Sequence, residues 1–375
     1  LSTPEIQTAD ILVVGAGMAG ASAAAELSAE AKVLLLESEE RPGYHSTGRS
    51  AAIFIQNYGN RSIRQLSKAS RPLFEDHPLS TEGGSLLSDR GLLFLAEPGQ
   101  ERQLDALLAE ADGLENLDEA AVRELVPVLR PGSFVRAGYE ADAKGIDVDR
   151  LHQIYLRALK RNGGEVVCRA GATAVARVGG AWQVETPAGR FEAPVLVNAA
   201  GAWADELAVM AGLPRVGLQP KRRSAALLPT PADWAVDGWP LTGDVGERWY
   251  MKPEGGKMMV SPADADPVDP HDAWPDDMVL AEGLDRFCQV FDYEVTKLEA
   301  SWAGLRTFVP DGSLVIGFDP LAEGFFWLAG QGGYGIQTSP AAARCAAALA
   351  LGRPVPPELS AVGFTADSVD PARLR

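Results

Sequence analysis

Residues Val13–Ser22 read VVGAGMAGAS, which places Gly15, Gly17 and Gly20 in GxGxxG spacing directly behind the apolar run Ile11–Val14. Each glycine answers a separate steric demand. Gly15 permits a tight turn, Gly17 lets the backbone approach a pyrophosphate, and Gly20 lets the following helix pack closely on the strand. A small-residue helix is predicted from Met18 to Ala29, and a second strand from Lys32 to Leu36 ending at Glu37. A carboxylate in that position accepts hydrogen bonds from ribose hydroxyls. A lone GxGxxG is weak evidence, but strand, turn, helix, strand and acid in about thirty residues form a dinucleotide-binding unit. The expected contacts in this unit are Gly15, Ala16, Gly17, Ala19 and Gly20, with Glu37 and Ser38.

Glu37 suits FAD or NAD and disfavours NADP. The chain carries one such fingerprint, so no second site for a nicotinamide partner is expected. Two further small-residue turns lie far downstream. NAAGAWADE (Asn198–Glu206, with Gly201) follows the apolar strand Pro194–Val197, and QGGYGIQT (Gln331–Thr338) precedes an Ala-rich helix from about Ser339 to Leu351. The first is equally a tightly packed strand–helix junction. Three such turns spread along the chain fit one long cofactor, FAD, better than a compact NAD fold.

At 375 residues the chain exceeds one compact core, and two domains are expected. Composition is that of a globular protein, 46% hydrophobic and 23% charged. The net charge of −17 repels phosphate backbones, so no nucleic-acid partner is expected. No run of about eighteen apolar residues occurs, which excludes a helical membrane span. The first ten residues, LSTPEIQTAD, lack the basic start and apolar stretch of a signal peptide, and the missing initiator Met suggests processing or trimming. Cys168, Cys288 and Cys345 form no CxxC pair, and His45, His77, His152 and His271 have no metal-ligand spacing. A reducing, cytoplasmic location is expected, or one peripheral to a bacterial inner membrane, with no metal.

The expected fold class is α/β: a Rossmann-like domain of glutathione-reductase type with an inserted α+β substrate domain containing an antiparallel sheet. The nucleotide domain is drawn from residues 1–82, 148–225 and 301–375, the substrate domain from 83–147 and 226–300. Helices are predicted around Ile63 and Leu66, stopping before Pro72, and at Glu101–Ala111, Asp118–Leu125 and Val148–Arg161, with Asp118 and Asp147 as caps. Strands are predicted at Gly91–Ala96, Ala181–Thr186, Ser313–Gly317 and Gly324–Ala329, an irregular polar loop at Arg41–Ala52, and a loop-like run PADADPVDPHDAWPDD within 226–300.

VVGAGMAGAS, PGYHSTGRSAA (Pro42–Ala52), NAAGAWADELA, GLQPKRRSA (Gly217–Ala225), WAGLRTFVPDG (Trp302–Gly312) and GFFWLAGQGGYGIQTS (Gly324–Ser339) together resemble the D-amino-acid oxidase and glycine oxidase superfamily, and most closely its bacterial D-arginine dehydrogenases. The resemblance spans nearly the whole chain. It implies non-covalent FAD, in keeping with the lack of cysteine in 303–312. It also implies that Ser46, Thr47, Gly48, Arg49, Ser50, Ala51, Ala52 and Ile53 wrap the flavin and pyrophosphate. Ala172 would touch the adenine end, and Gly332, Gly333, Tyr334, Gly335, Ile336 and Gln337 the isoalloxazine edge. The implied reaction is oxidative deamination of a D-amino acid, with hydride passing from Cα to flavin N5. The resulting imino acid hydrolyses to a 2-oxo acid and ammonia. Electrons then pass to a quinone or to oxygen, and a monomer is plausible.

Such chemistry needs a cation for the substrate carboxylate, preferably the planar fork of arginine. By resemblance Arg306 is that anchor; a structural ion pair is the alternative. Arg223 is the second candidate, against a solvated basic run with Lys221 and Arg222. Tyr58 and Tyr250 match substrate-holding positions or are plainly packed, and the Gly333 carbonyl is the implied acceptor for the substrate amine. No general base is needed if the amine enters neutral; His45 reads as a loop histidine bonded to backbone. Where D-arginine dehydrogenases carry an acid and a histidine, this chain aligns Leu92 and Ile53. A buried cation without its partner costs about 3–5 kcal/mol, so neutral or hydrophobic D-amino acids are expected, unless Glu82 or Asp89 supplies the charge. An oxidase of glycine or sarcosine type and a 2-hydroxy-acid dehydrogenase are the alternatives.

Overall fold

A computed structural model describes residues 6–375. A six-stranded sheet runs in the order Glu165–Val167, Val33–Leu36, Ile11–Val14, Val195–Asn198, Phe325–Ala329, Val315–Phe318, parallel except for the last pair. The segments ILVV, VLLL and FFWLA are buried at every position. That is the pattern of strands covered on both faces, which do not alternate. One cover is the helix Met18–Leu27, which packs against the helices Val148–Arg161 and Ser339–Ala350. Its alanines and glycine admit that close approach. A four-stranded sheet (Ile6–Thr8, Gly189–Ala193, Ala181–Thr186, Ala174–Val178) stands beside it.

The second large layer is an eight-stranded sheet: Ala300–Phe308, Gln219–Leu228, Lys257–Ser261, Tyr250–Glu254, Leu241–Asp244, Leu92–Ala96, Arg136–Glu140, Glu115–Asp118. All its pairings are antiparallel except Leu241–Asp244 with Leu92–Ala96. Its core holds Trp249, Met251, Met258, Phe287 and Phe291. The α/β class with a Rossmann-like unit is the one the fingerprint predicts. By sheet membership, however, Gln219–Leu228 and Ala300–Phe308 lie wholly in the eight-stranded layer, so a division at 225 and 226 would cut a continuous strand.

Three local expectations need correction. The helix containing Ile63 and Leu66 runs Arg61–Glu75 with Pro72 inside it. Pro72 sits in the last turn, its carbonyl still accepts from the Asp76 N–H at 3.1 Å, and buried Phe74 anchors the end against Phe54 at 5.9 Å between ring centroids. The loop 41–52 contains a 3-10 turn at Ser46–Arg49. After the PADADPVDPHDAWPDD run comes an unpredicted helix, Asp277–Val290, capped by Asp276, whose side chain accepts from the Met278 and Val279 N–H groups. Asp118 and Asp147 cap their helices as expected, at 2.9 and 3.0 Å.

Candidate active site

Between the two large sheets lies a cavity of about 820 Å³, within the usual range for a small-molecule site. It runs from Glu37, Ser38 and Ala170 past the Gly15–Gly17 turn to Gly332–Gln337, and faces Arg223, Arg306, Tyr58 and Tyr250. At the first end, Gly15 has φ +102°, and a Cβ there would lie 2.4 Å from the Ala199 carbonyl oxygen. Gly20 is equally confined: a Cβ would lie 1.8 Å from the Gly15 oxygen. These contacts are why helix and strand meet so closely. Gly17 caps the helix with no side chain of its own, so the positive end of the helix opens on the cavity. Glu37 is buried; its Oε2 accepts from the Ala16 N–H at 2.9 Å and its Oε1 from the Glu39 N–H at 2.9 Å.

Residues 46–53 line the same cavity except Gly48. Thr47 Oγ1 accepts from the Met18 N–H at 2.9 Å, tying this loop to the helix start. Ser46 Oγ donates to the Leu305 carbonyl at 2.7 Å. Arg49 is occupied structurally: it donates to the Ala273 and Ala303 carbonyls at 3.1 and 3.0 Å and pairs with Asp272 at 2.6 Å. Ala52 holds a left-handed φ of 54°. Ala16, Gly20, Gly48 and Ala172 do not line the cavity, whereas Ala170, two residues before Ala172, does. The side chain of Ala172, the implied adenine contact, packs against the apolar cluster around Val175 and Phe191.

At the other end the strands Gln219–Leu228 and Ala300–Phe308 present Arg223 and Arg306. Neither guanidinium has a carboxylate within 4.0 Å among the described residues, whereas Arg222 between Lys221 and Arg223 is paired with Asp264 and Asp266 at 3.4 and 2.9 Å. Arg223 Nε is buried without a hydrogen-bond partner. Such an orphan donor costs about 1–3 kcal/mol. Burial and the neighbouring Arg306 pull the Arg223 pKa below its ordinary value, against Tyr250, Tyr58 and Asp264. For Arg306 burial also opposes the charge, but Tyr58, Tyr250, Glu247 and Asp264 outweigh it and the pKa is raised. Arg306 Nη1 donates to Tyr58 Oη at 3.4 Å. A Cβ on Gly333 would lie 2.9 Å from that hydroxyl and 3.1 Å from Arg306 Nη1, so glycine keeps this corner open. The arrangement is a positively charged corner whose two guanidiniums face the cavity.

The profile of the DAO family, described as FAD dependent oxidoreductase, matches residues 10–349. The chain belongs to this family. It is 26% identical to the hydrogen cyanide synthase subunit HcnC of Pseudomonas aeruginosa over 89% of this chain and 90% of that protein. It is 24% identical to the glycine oxidase of Bacillus licheniformis over 93% and 95%. Among solved structures, the glycine oxidase from Geobacillus kaustophilus superposes with a TM-score of 0.80 at 21% identity, covering 92% of this chain and 95% of that one. L-proline dehydrogenase from P. horikoshii gives 0.80 at 20%, covering 98% of each.

As an FAD-dependent oxidoreductase the chain must house an elongated dinucleotide, and the residues present fit one. An acid stands at one end of the cavity, an uncapped glycine helix start in the middle, and a turn free of large side chains at Gly332–Gly333 beyond. None of the three thiols lines the cavity.

Several expected contacts in this DAO-family site are spent on the protein itself. Gln337 lines the cavity, but its amide donates to the Ile55 carbonyl at 3.1 Å and to Ser67 Oγ at 2.8 Å, and accepts from the Ile55 N–H at 3.2 Å. His45 binds Glu39 Oε1 at 3.0 Å rather than backbone, and its ring lies 4.7 Å from that of Trp203. Glu82 and Asp89 are exposed, paired with Arg157 at 2.6 Å and Lys144 at 2.7 Å, and neither lines the cavity. Leu92 and Ile53 do line it. Sequence reading missed Glu140, buried beneath the Tyr58 loop, which accepts from the Gln56 N–H at 2.9 Å and Asn57 Nδ2 at 3.0 Å. It also missed Glu247, a lining residue with a left-handed φ of 54°. No local pattern marks either one.

Proposed function

We propose that the protein oxidatively deaminates a neutral or hydrophobic D-amino acid, as a dehydrogenase. The observation that carries this reading is the pair of guanidiniums, Arg223 and Arg306, facing one cavity without a carboxylate partner among the described residues. A substrate α-carboxylate completes that corner, because the arginine fork matches two carboxylate oxygens and desolvation strengthens the pair. Tyr58, bonded to Arg306, and Tyr250 add hydroxyls beside it. The Gly333 carbonyl is the proposed acceptor for the substrate amine. What FAD supplies when bound is a two-electron acceptor for the Cα–H bond, while the nitrogen lone pair closes to an imine that water hydrolyses. The protein's part is orientation: a carboxylate clamped at one end and an amine at the other leave the Cα–H one direction to face.

The cavity wall also includes Leu92, Phe94, Leu107, Leu241 and Met259. Those side chains favour an apolar substituent. An oxidase acting on glycine or a secondary amine is the second reading, favoured by the glycine oxidases among the relatives. Anaerobic titration of the FAD-loaded protein with D- and L-leucine, D-phenylalanine, D-arginine, glycine and sarcosine separates them. Bleaching by D-leucine but not by L-leucine or sarcosine is expected; reoxidation in air, followed by stopped flow, tells dehydrogenase from oxidase. Arg306→Met is expected to cut kcat/KM by about 10³-fold or more in a folded, FAD-loaded protein. Wild-type turnover and affinity in that variant overturn the proposal.

A further inference from the structure

The Arg223 and Arg306 guanidiniums alone carry one positive charge more than a monocarboxylate neutralises, and Lys221 on the same wall makes no ion pair among the described residues either. A pocket of that kind would, on charge alone, prefer a dicarboxylate. The cavity wall holds four carboxylates, and three are engaged within the protein. Glu37 accepts from Ala16 and Glu39, Asp264 accepts from the Ser224 N–H and Oγ at 2.6 and 2.7 Å, and Asp244 accepts from Gln100 Nε2 at 2.7 Å. Glu247 is the fourth. Its side chain makes no hydrogen bond or ion pair among the described residues, and it is exposed.

The turn that carries Glu247 is built to hold it. It joins the strands Leu241–Asp244 and Tyr250–Glu254. Buried Asp244 gathers the turn by accepting from the Arg248 N–H and Nε at 2.5 and 2.6 Å and from the Trp249 N–H at 3.3 Å. Arg248 is clamped again by Glu97 at 2.6 Å. The Glu247 N–H donates to the Asp244 carbonyl at 3.0 Å, and φ at 247 is 54°, a conformation that L residues avoid unless the surroundings impose it. An over-determined, left-handed residue with a free charge at a cavity wall is a feature that functional sites retain. The charge is felt within the site, since it helps raise the pKa of both Arg306 and Tyr334.

We infer that Glu247 is a charge filter: from the locked 244–249 turn its carboxylate bars substrates with a second negative charge from the two-arginine corner. This deepens the reading of Arg306 and Arg223 as carboxylate anchors and rests on it. The two unreactive probes are propionate and succinate, titrated calorimetrically into the FAD-loaded protein. Every negative charge on the ligand meets Glu247 once, so Glu247→Gln tightens both probes, and the dianion by roughly the square of the factor. The succinate-to-propionate affinity ratio therefore rises about five- to tenfold in Glu247→Gln and stays at the wild-type value in Glu247→Asp, which keeps the charge. The ratio of kcat/KM for D-glutamate over D-leucine rises with it. An unchanged succinate-to-propionate ratio in Glu247→Gln overturns the filter. The anchor reading fails separately, by undiminished propionate binding in Arg306→Met, and absence of propionate binding to the wild type overturns both.

Discussion

At position 333 any side chain would have to displace the ends of Tyr58 and Arg306. A methyl group there would press on Tyr58 Oη at 2.9 Å and Arg306 Nη1 at 3.1 Å, the two atoms proposed to receive the carboxylate. Gly333→Ala is expected to lower kcat/KM about tenfold or more, largely through KM, with FAD content near wild type; steady-state kinetics beside the flavin spectrum checks this. Arg223 poses the opposite case. Its buried, unpartnered Nε and its proximity to Arg306 make it a burden on the folded state without ligand. Arg223→Met is expected to leave thermal stability equal or higher while reducing kcat/KM about 10²-fold, a trade of stability for function that thermal melts and kinetics together detect. In the run Lys221–Arg222–Arg223 the sequence offers no way to tell the ion-paired arginine from the orphan one. Asp264 and Asp266, which claim Arg222, lie some forty residues on, at 3.4 and 2.9 Å.

At the scale of elements, the short strand Ile53–Phe54 and the loop to Tyr58 are held from two sides. Gln337 grips both the N–H and carbonyl of Ile55, and Glu140 receives Gln56 and Asn57. Glu140→Ala strands the Gln56 N–H and the Asn57 amide. It is expected to cost about 1–3 kcal/mol of stability and to raise KM through a loosened Tyr58, measured by denaturant unfolding and kinetics. Restoring the acceptor with Glu140→Gln is expected to recover part of both. The elements set by near neighbours were legible beforehand: the Ile11–Val14 strand, the glycine turn, and helices opened by Asp118 and Asp147. Asp277–Val290 was not, because its buried face, Leu280, Leu284 and Phe287, follows a Pro- and Asp-rich run that reads as loop. The helix through Pro72 was cut short because the rule against interior proline does not count the packing of Phe74.

At the scale of the molecule, His77 is a buried group that makes stability depend on pH. His77 is buried beside Tyr155, with Nε2 3.2 Å from Tyr155 Oη, and burial, then the Arg344 charge, push its pKa down to about 4. Above about pH 6.5, the unperturbed histidine value, the imidazole is neutral in both folded and unfolded chains and contributes no pH dependence. Between about 6.5 and 4 the unfolded chain takes up the proton and the folded chain does not, so stability falls as pH falls, by about 3 kcal/mol in all. Below about 4 both are protonated and the term levels off. Urea midpoints of wild type and His77→Gln across this range are expected to converge toward low pH or cross, the variant lacking that slope; parallel curves refute the assignment.

The order of residues alone determined the cofactor-binding unit. GxGxxG between an apolar strand and a small-residue helix is a local geometric solution, and Glu37 follows at a fixed chain distance. Steric limits on a turn act between neighbours, so they are written in the sequence. Tertiary structure alone decided which charged residues stay free to meet a ligand. Arg49 and Arg222 line the cavity and are paired with carboxylates distant in the chain, whereas Arg223, Arg306 and Glu247 line it and make no ion pair among the described residues. Whether a charge is satisfied depends on what comes within hydrogen-bond reach after folding, and that distance has no counterpart along the chain.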